Sequence, residues 1–267
     1  MQLVSIVIPV YKEQPSEDEI LSFCRCLRLL NYPIILFCSE SLNVDYYKLL
    51  ADKNGRKILF ERFPDRYFQN TSSYSKLLLS DFFYKRFFDY KYILLYQLDA
   101  LVFMDELKYW CKFNYDFIGA PIFESWTDPQ KTLKFIDGQN GGFSLRNVQS
   151  SLRVLSRIKF FSKVKRLFNG GFLFIQVVRI LGPLKKVTNI TLLNSMLGYT
   201  RNEDYFWSML AAKSFSDFKV PQPEIAMKFS FEVNPSYLYK LNNGKLPFGC
   251  HAWRAYEPEF WKPILNS

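Results

Sequence analysis

Asp99 is the first residue whose position points to chemistry, because it follows a run of apolar residues over 92–96 and the pair Gln97-Leu98. A carboxylate just beyond a buried strand can hold a divalent cation such as Mn²⁺ or Mg²⁺, and the cation can then bind the phosphates of a nucleotide. Asp is also a common turn former, so Asp99 could equally cap the turn that follows the strand. Both readings stay open on spacing alone.

Glu203 and Asp204 are adjacent acids at the expected start of a helix. Negative charge at a helix N-terminus is favourable in itself, which is a purely structural explanation. The chemical alternative is that one carboxylate accepts the proton of an acceptor hydroxyl while its neighbour orients a sugar. Glu203 and Asp204 are therefore the candidate catalytic residues.

Gly141 and Gly142 form a second feature of this kind, since neither carries a Cβ atom. A ligand ring could approach the backbone closely at such a pair, whereas plain turn glycines would need no ligand. His251 is the only histidine of the chain. A lone histidine is more often structural than a ligand.

The elements that must position these residues alternate between strand and helix signals. Apolar runs near residues 3–10, 34–38, 57–60 and 91–96 predict buried strands, and an amphipathic pattern predicts one long helix over 73–88. Gly119-Ala120-Pro121 is expected to end a strand that begins near residue 115. Repeated strand and helix units predict an α/β domain with a mostly parallel sheet, which binds ligands beyond the carboxyl ends of its strands.

Composition limits the class of protein. The chain has 267 residues, of which 49% are hydrophobic and 22% are charged, which fits one folded domain and excludes disordered and fibrous proteins. The five cysteines are odd in number and never spaced as a CxxC pair, so neither a disulfide framework nor a zinc ribbon is predicted. We expect a cytoplasmic protein, since no leader signal is apparent at the N-terminus.

The net charge of +10 lies in one segment. Residues 138–202 contain eleven Lys and Arg and no Asp or Glu, while the rest of the chain is nearly neutral. An apolar stretch at residues 171–181 lies within this segment and is suited to the surface of a membrane. The alternative is a buried helix of an inserted subdomain. Nucleic acid is a weaker expectation, because the cations alternate with large aliphatic residues and no recognised nucleic-acid motif is present.

Five short motifs resemble, in order, a bacterial family of GT-A-like domains regarded as glycosyltransferases. They begin with Tyr-Gln-Leu-Asp-Ala at 96–100 and Tyr-Asp-Phe-Ile-Gly-Ala-Pro at 115–121. Asn-Gly-Gly-Phe-Ser-Leu-Arg at 140–146, Asn-Glu-Asp-Tyr-Phe-Trp at 202–207 and Pro-Phe-Gly-Cys-His-Ala-Trp at 247–253 follow. The resemblance implies a single GT-A-like Rossmann-type domain with a basic helical insertion at about 147–201. Residues 1–120 would form the nucleotide-sugar half and residues 121–267 the acceptor half.

The resemblance also implies roles. Asp99 occupies the second acidic position of the Asp-x-Asp metal motif, and Gln97 stands where the first Asp usually lies. Some GT-A families complete the metal site with a late histidine, which here would be His251. An acidic pair at the place of Glu203 and Asp204 often supplies the base. The candidate nucleotide contacts are Val10, Tyr11, Ser39, Tyr74, Lys76, Gln97, Leu98, Asp99, Gly141 and Gly142.

The function that follows is transfer of a sugar from a nucleotide sugar, expected to be UDP-linked, to a glycan or lipid-linked glycan hydroxyl. The transfer would be metal-assisted and inverting, at the inner face of the membrane. Because Gln97 carries no charge, the alternative is a non-catalytic sugar- or nucleotide-binding relic of the same fold.

Overall fold

The computed structural model describes residues 1–124 and 132–265. Its strands form two sheets. The six strands of the main sheet are β1 (Gln2–Pro9), β2 (Ile34–Ser39), β3 (Ile58–Phe63), β4 (Tyr90–Tyr96), β6 (Phe117–Phe123) and β7 (Phe135–Asn147). The smaller sheet consists of β5 (Leu101–Val102), β8 (Ser230–Phe231) and β9 (Gly249–Cys250).

The main sheet has the order β3-β2-β1-β4-β7-β6, and β7 alone runs against the other strands. The expected α/β architecture with a mostly parallel sheet is confirmed. Strand β1 shows why the sequence adopts it, because Ile6 and Ile8 pack on one face of the sheet and Val7 packs on the other. A strand covered on both faces is expected to be a nearly continuous apolar run.

Helices cover both faces of the sheet. They are α1 (Glu17–Leu29), α2 (Asp45–Lys53), α3 (Thr71–Leu78), α4 (Asp81–Lys85), α5 (Leu107–Cys111), α6 (Val148–Leu167), α7 (Phe172–Leu181), α8 (Ile190–Met196), α9 (Glu203–Tyr205), α10 (Ala212–Ser214), α11 (Pro223–Phe229), α12 (Pro235–Leu241) and α13 (Pro258–Leu265). A π-helical turn, Phe206–Ala211, joins α9 to α10, and short 3-10 turns lie at Asp65–Tyr67 and Pro183–Lys185. No helix in the described ranges combines the length and apolarity needed to cross a bilayer.

The single long helix predicted over residues 73–88 is wrong, because α3 ends at Leu78 and α4 begins at Asp81. Ser80 lies between them in an extended conformation, and its hydroxyl accepts a hydrogen bond from the backbone N–H of Phe83 at 3.2 Å. A serine that caps a new helix interrupts the chain without interrupting the apolar periodicity. The apolar periodicity of the sequence therefore continues across the break between α3 and α4.

The expected stop at Gly119-Ala120-Pro121 is also wrong, because β6 continues through these residues to Phe123. The pairing of β6 with β7 is irregular between Ile118 and Ala120 and again between Pro121 and Ile122. Strand β6 lies at the edge of the sheet, where a proline need not donate a ladder hydrogen bond. The expected boundary between the nucleotide-sugar half and the acceptor half, at residues 120 and 121, thus falls inside β6. The assignment of these two roles stays a prediction.

Candidate active site

Two neighbouring pockets lie where β1 and β4 end. The first pocket has a volume of about 170 Å³ and is lined by Pro9, Val10, Tyr11, Glu19, Tyr47, Gln97, Leu98 and Asp99. The second pocket has a volume of about 200 Å³ and is lined by Thr71, Tyr74, Ser75, Gln97, Asn140, Gly141, Gly142, Asn202, Glu203, Asp204 and His251. Gln97 lines both pockets and separates them.

The smaller sheet brings the candidate metal ligands together. Asp99 lies two residues before β5, and His251 directly follows β9, which pairs with β5. The Nε2 atom of His251 lies 3.1 Å from Oε1 of Gln97 and 3.3 Å from Oδ1 of Asp99. The side chain of Asp99 is 54% exposed and that of His251 is 11% exposed, so the cluster is open on the carboxylate side.

Asp99, His251 and Gln97 carry donor atoms of the types that bind Mn²⁺ or Mg²⁺. Donor atoms at about 2.1 Å from one ion, in adjacent octahedral positions, lie about 3 Å apart, and the separations around Nε2 of His251 are close to that. Within residues 1–124 and 132–265, no three His, Cys, Asp or Glu side chains form a metal cluster. The candidate set is therefore Asp99 and His251, with the neutral oxygen of Gln97 as a third donor.

Glu232 holds His251 in place, although no sequence motif marks it. It follows β8 as His251 follows β9, and the parallel pairing of these strands puts the two residues side by side. Oε1 of Glu232 lies 3.2 Å from Nδ1 of His251 and also accepts a hydrogen bond of 3.0 Å from the Asn140 side chain. A carboxylate on the second ring nitrogen is the usual support of a metal-binding histidine.

The charges around His251 determine its protonation. Burial would lower the pKa of His251, but Asp99 and Glu232 together raise it to about 10. Burial would likewise raise the pKa of Asp99, yet the neighbouring imidazolium holds it below the usual range. Without a bound cation, His251 is therefore charged between two anions, and both ring N–H groups can donate. A metal ion that bound Nε2 would have to displace its proton.

Glu203 and Asp204 have different environments despite being adjacent. Glu203 is buried and forms a two-pronged ion pair with Arg146, at 2.6 Å from Nη1 and 2.9 Å from Nη2. Arg146 is 1% exposed and also donates to Ser144 and to the backbone carbonyl of Gly141. Both oxygens of Glu203 thus accept hydrogen bonds from the guanidinium of Arg146.

Asp204 is half-buried and lines the second pocket. Its Oδ1 atom accepts a hydrogen bond of 2.7 Å from the backbone N–H of Tyr205. Burial and the charge of Glu203 raise the pKa of Asp204 to about 6. A carboxylate with a pKa near neutral is suited to proton transfer. The two acids of the pair therefore differ in what they can do.

Gly141 and Gly142 lie within strand β7 and line the second pocket. A Cβ atom at Gly142 would overlap the imidazole of His251, and one at Gly141 would lie 2.7 Å from Nη2 of Arg146 and 2.9 Å from Oε1 of Glu203. These side chains occupy the space that a Cβ atom would need, so the two glycines are required for close packing and not for a turn. The glycines let the site close up around β7.

The remaining candidates divide into two groups. Val10 and Tyr11 line the first pocket, and Tyr74 lines the second, where its hydroxyl is buried and makes no hydrogen bond within the described part of the chain. Ser39 and Lys76 line neither pocket. Ser39 interacts with Ser41 at the end of β2, and Lys76 lines a separate pocket with Arg66 and Tyr67.

The fold is that of GT-A-like glycosyltransferases. The structure resembles the glycosyltransferase GlyE of Streptococcus pneumoniae TIGR4 with a TM-score of 0.51 and 11% identity, over 100% of this chain and 61% of that chain. This chain thus spans less than two thirds of the pneumococcal protein. A second similarity, to Core-mannan synthase A of Aspergillus fumigatus in an Mn/GDP form, has a TM-score of 0.49 and 13% identity, over 82% of this chain and 72% of that chain.

The chain belongs to the DUF5672 family, described as a protein of unknown function, whose model matches residues 57–251. A search of curated proteins found no match. The family match includes every residue that lines the second pocket, whereas Pro9, Val10, Tyr11, Glu19 and Tyr47 of the first pocket precede it.

Proposed function

We propose that this protein transfers a sugar from a nucleotide sugar, expected to be UDP-linked, to the hydroxyl of a glycan or lipid-linked glycan. The observation that carries the proposal is the position of Gln97, Asp99 and His251 at the boundary of the two pockets. A nucleotide diphosphate at that boundary would have its nucleoside in the first pocket and its sugar in the second. GT-A-like folds bind ligands at this edge of the sheet.

Asp99 and His251 are the proposed ligands of Mn²⁺ or Mg²⁺, with Gln97 as a neutral third donor. When bound, the ion would neutralise the charge that develops on the departing diphosphate. The chain itself keeps His251 in the required orientation through Glu232 and Asn140. Tyr11, which is half-exposed at the first pocket, is placed to contact the base or ribose.

Asp204 is the proposed general base, in preference to Glu203. Its pKa of about 6 leaves it ionised at neutral pH and able to accept a proton from the acceptor hydroxyl. Glu203 acts instead through Arg146, because their ion pair fixes the start of the helix that carries Asp204. Direct attack by an acceptor that Asp204 deprotonates would invert the anomeric centre.

A second candidate function is nucleotide or sugar binding without transfer. Gln97 favours it, because the amide supplies no negative charge where GT-A metal motifs usually have an acid. Such a relic would bind UDP or a UDP-sugar in the first pocket and release the sugar unchanged. It would show no transfer or donor hydrolysis, with or without the Asp204 carboxylate.

The deciding experiment measures hydrolysis of a panel of UDP- and GDP-sugars with Mn²⁺, with Mg²⁺ and with a chelator, since slow donor hydrolysis requires no knowledge of the acceptor. Asp99→Ala is expected to remove the metal-dependent part of both UDP affinity and hydrolysis. Asp52→Asn, on the exposed side of α2, is the matched control. Equal UDP affinity with and without metal would contradict the metal assignment, and binding without any hydrolysis would favour the relic.

A further inference from the structure

Helix α7 and the segments on either side of it expose large apolar side chains. Phe172 is 71% exposed and Leu184 is 78% exposed, and four neighbours are exposed as well. Together they are Leu167, Phe172, Leu173, Ile175, Ile180 and Leu184. On the opposite side of α7, Phe174 and Val178 are buried in the core shared with α6 and α8, so the orientation of the helix is fixed.

The eleven cations of residues 138–202 separate into two groups. Arg146 pairs with Glu203, Arg153 and Arg157 pair with Asp217, and Lys159 pairs with Asp81. The other seven form no ion pair with a described carboxylate. They are Lys163, Lys165, Arg166, Arg179, Lys185, Lys186 and Arg201. The unpaired cations therefore belong to the same part of the chain as the exposed apolar residues.

A shallow depression lies where α6 turns toward α7. It has a volume of about 470 Å³ and is lined by Ser162, Lys165, Arg166, Asn169, Gly170, Leu197 and Gly198. Its two cations, two glycines and polar side chains are suited to an anionic group. Leu167, 75% exposed, lies directly beside it in the chain.

We propose that the α7 surface, formed by these six apolar residues and the cations Lys163, Arg166, Arg179, Lys185 and Lys186, docks on an anionic lipid bilayer. Apolar side chains that enter the acyl boundary and cations that meet anionic headgroups are the two contributions that hold a peripheral helix at a membrane. A second copy of the chain is a poorer partner, because the cations of one copy would face those of the other.

The docked segment is connected to the candidate active site at both ends. It leaves the site after Arg146 and returns to it at Asn202, beside Asp204. Docking would thus hold the enzyme at the bilayer, where a lipid-linked acceptor would lie. The identity of that acceptor rests on the proposed transfer reaction, whereas binding to the bilayer does not.

The test is sedimentation with two kinds of vesicle, one of phosphatidylcholine alone and one with equal parts of phosphatidylcholine and phosphatidylglycerol. We expect binding to the anionic vesicles at low salt, which weakens as ionic strength rises. Replacing all five cations of the α7 surface by Gln should weaken the partition by roughly three orders of magnitude. The matched control replaces five exposed lysines elsewhere by Gln, at Lys53, Lys57, Lys108, Lys112 and Lys240.

The apolar contribution is tested by Phe172→Glu with Leu184→Glu, which should also release the protein, while Leu59→Glu on exposed β3 should not. No binding to anionic vesicles at low salt would overturn the proposal, as would equal loss in the control with five replaced lysines. If the protein self-associates but does not bind vesicles, and Phe172→Glu abolishes the self-association, the α7 surface contacts a second copy. That result would also overturn the proposal. UDP-sugar hydrolysis in vesicle-free buffer separates this outcome from failure of the proposed function.

Discussion

Arg146 and Arg166 belong to the same acid-free stretch of sequence, yet the fold uses them in opposite ways. Arg146 is on β7, buried, and bonded to Glu203, Ser144 and the carbonyl of Gly141. Arg166 is exposed near the end of α6 and has no described carboxylate partner. A cation enters the interior only where the fold brings an acid to it, because a buried unpaired charge is too costly, and helix α9 brings Glu203 to Arg146. The same composition thus builds a site at one end and an open surface at the other.

The strongest expected effect within the site is on turnover. Asp204→Asn should lower turnover by about two to four orders of magnitude while donor affinity stays nearly unchanged, since the amide cannot accept the acceptor proton. Steady-state kinetics with binding calorimetry would show this split. Asp52→Asn should retain full activity. Wild-type turnover in the Asp204 variant would remove it as the base.

Stability should distinguish the two arginines sharply. Arg146→Met leaves the carboxylate of Glu203 buried without its partner, which should reduce the free energy of unfolding by about 3–5 kcal/mol. Arg166→Met removes an exposed cation and should change it by less than about 0.5 kcal/mol. Urea unfolding of both variants measures the difference. Equal effects would mean that burial does not separate the two regions.

Gly142→Ala tests the close contact between β7 and His251. The added methyl group must displace the imidazole or the strand, and we expect a loss of about 1–3 kcal/mol in unfolding free energy together with weaker metal-dependent UDP binding. Gly198→Ala, at a glycine with open space but a positive φ of 86°, controls for backbone strain alone. If both variants lose stability equally and UDP binding is unchanged, the glycine does not serve the site.

The pH dependence should follow Asp204. As a base it must be ionised, so the kcat/KM of transfer should fall about tenfold per pH unit as pH drops below about 6. The same raised pKa means that the folded state holds this proton more tightly than the unfolded chain does. The Asp204 contribution to stability is therefore greatest at low pH and is lost as pH rises through about 6. A pH–rate profile without this limb would contradict the assignment.

Neutralising the five cations of the α7 surface should have the smallest effect on the isolated protein. These cations are exposed and form no ion pair with a described carboxylate, and the one described ring contact among them is that of Lys185 with Phe160 at 5.2 Å. Their replacement by Gln should therefore leave the melting temperature and donor hydrolysis nearly unchanged. Thermal unfolding beside the vesicle assay measures this. A large loss of stability would show that these side chains belong to the folded core.

Much of the site was predictable because strand ends are visible in sequence. The apolar run before Gln97 predicted where Asp99 would lie. Ser16 followed three residues later by Glu19 is likewise a capping pattern that can be read from the sequence, and the structure has both of its hydrogen bonds. The strand and helix alternation predicted the parallel sheet. These signals are local, since periodicity and capping involve residues a few positions apart.

The partners of these residues were not predictable in the same way. Glu232 and His251 meet because β8 and β9 pair in parallel, and no spacing in the sequence encodes that register. Arg146 and Glu203 are 57 residues apart. The role of Gly141 and Gly142 also depends on which side chains approach them. Such contacts are products of tertiary packing, which sequence periodicity does not reveal.

The order of the chain through the two sheets has a consequence for assembly. All six strands of the main sheet are complete by Asn147, whereas Glu232 and His251 come from the end of the chain. The contact between Gln97 and His251 joins residues 154 positions apart, and contacts of such separation close late. On the ribosome, the sheet would therefore have all its strands before the pocket has its histidine. Metal-dependent nucleotide binding would then begin only after β9 and His251 have been synthesised and have folded.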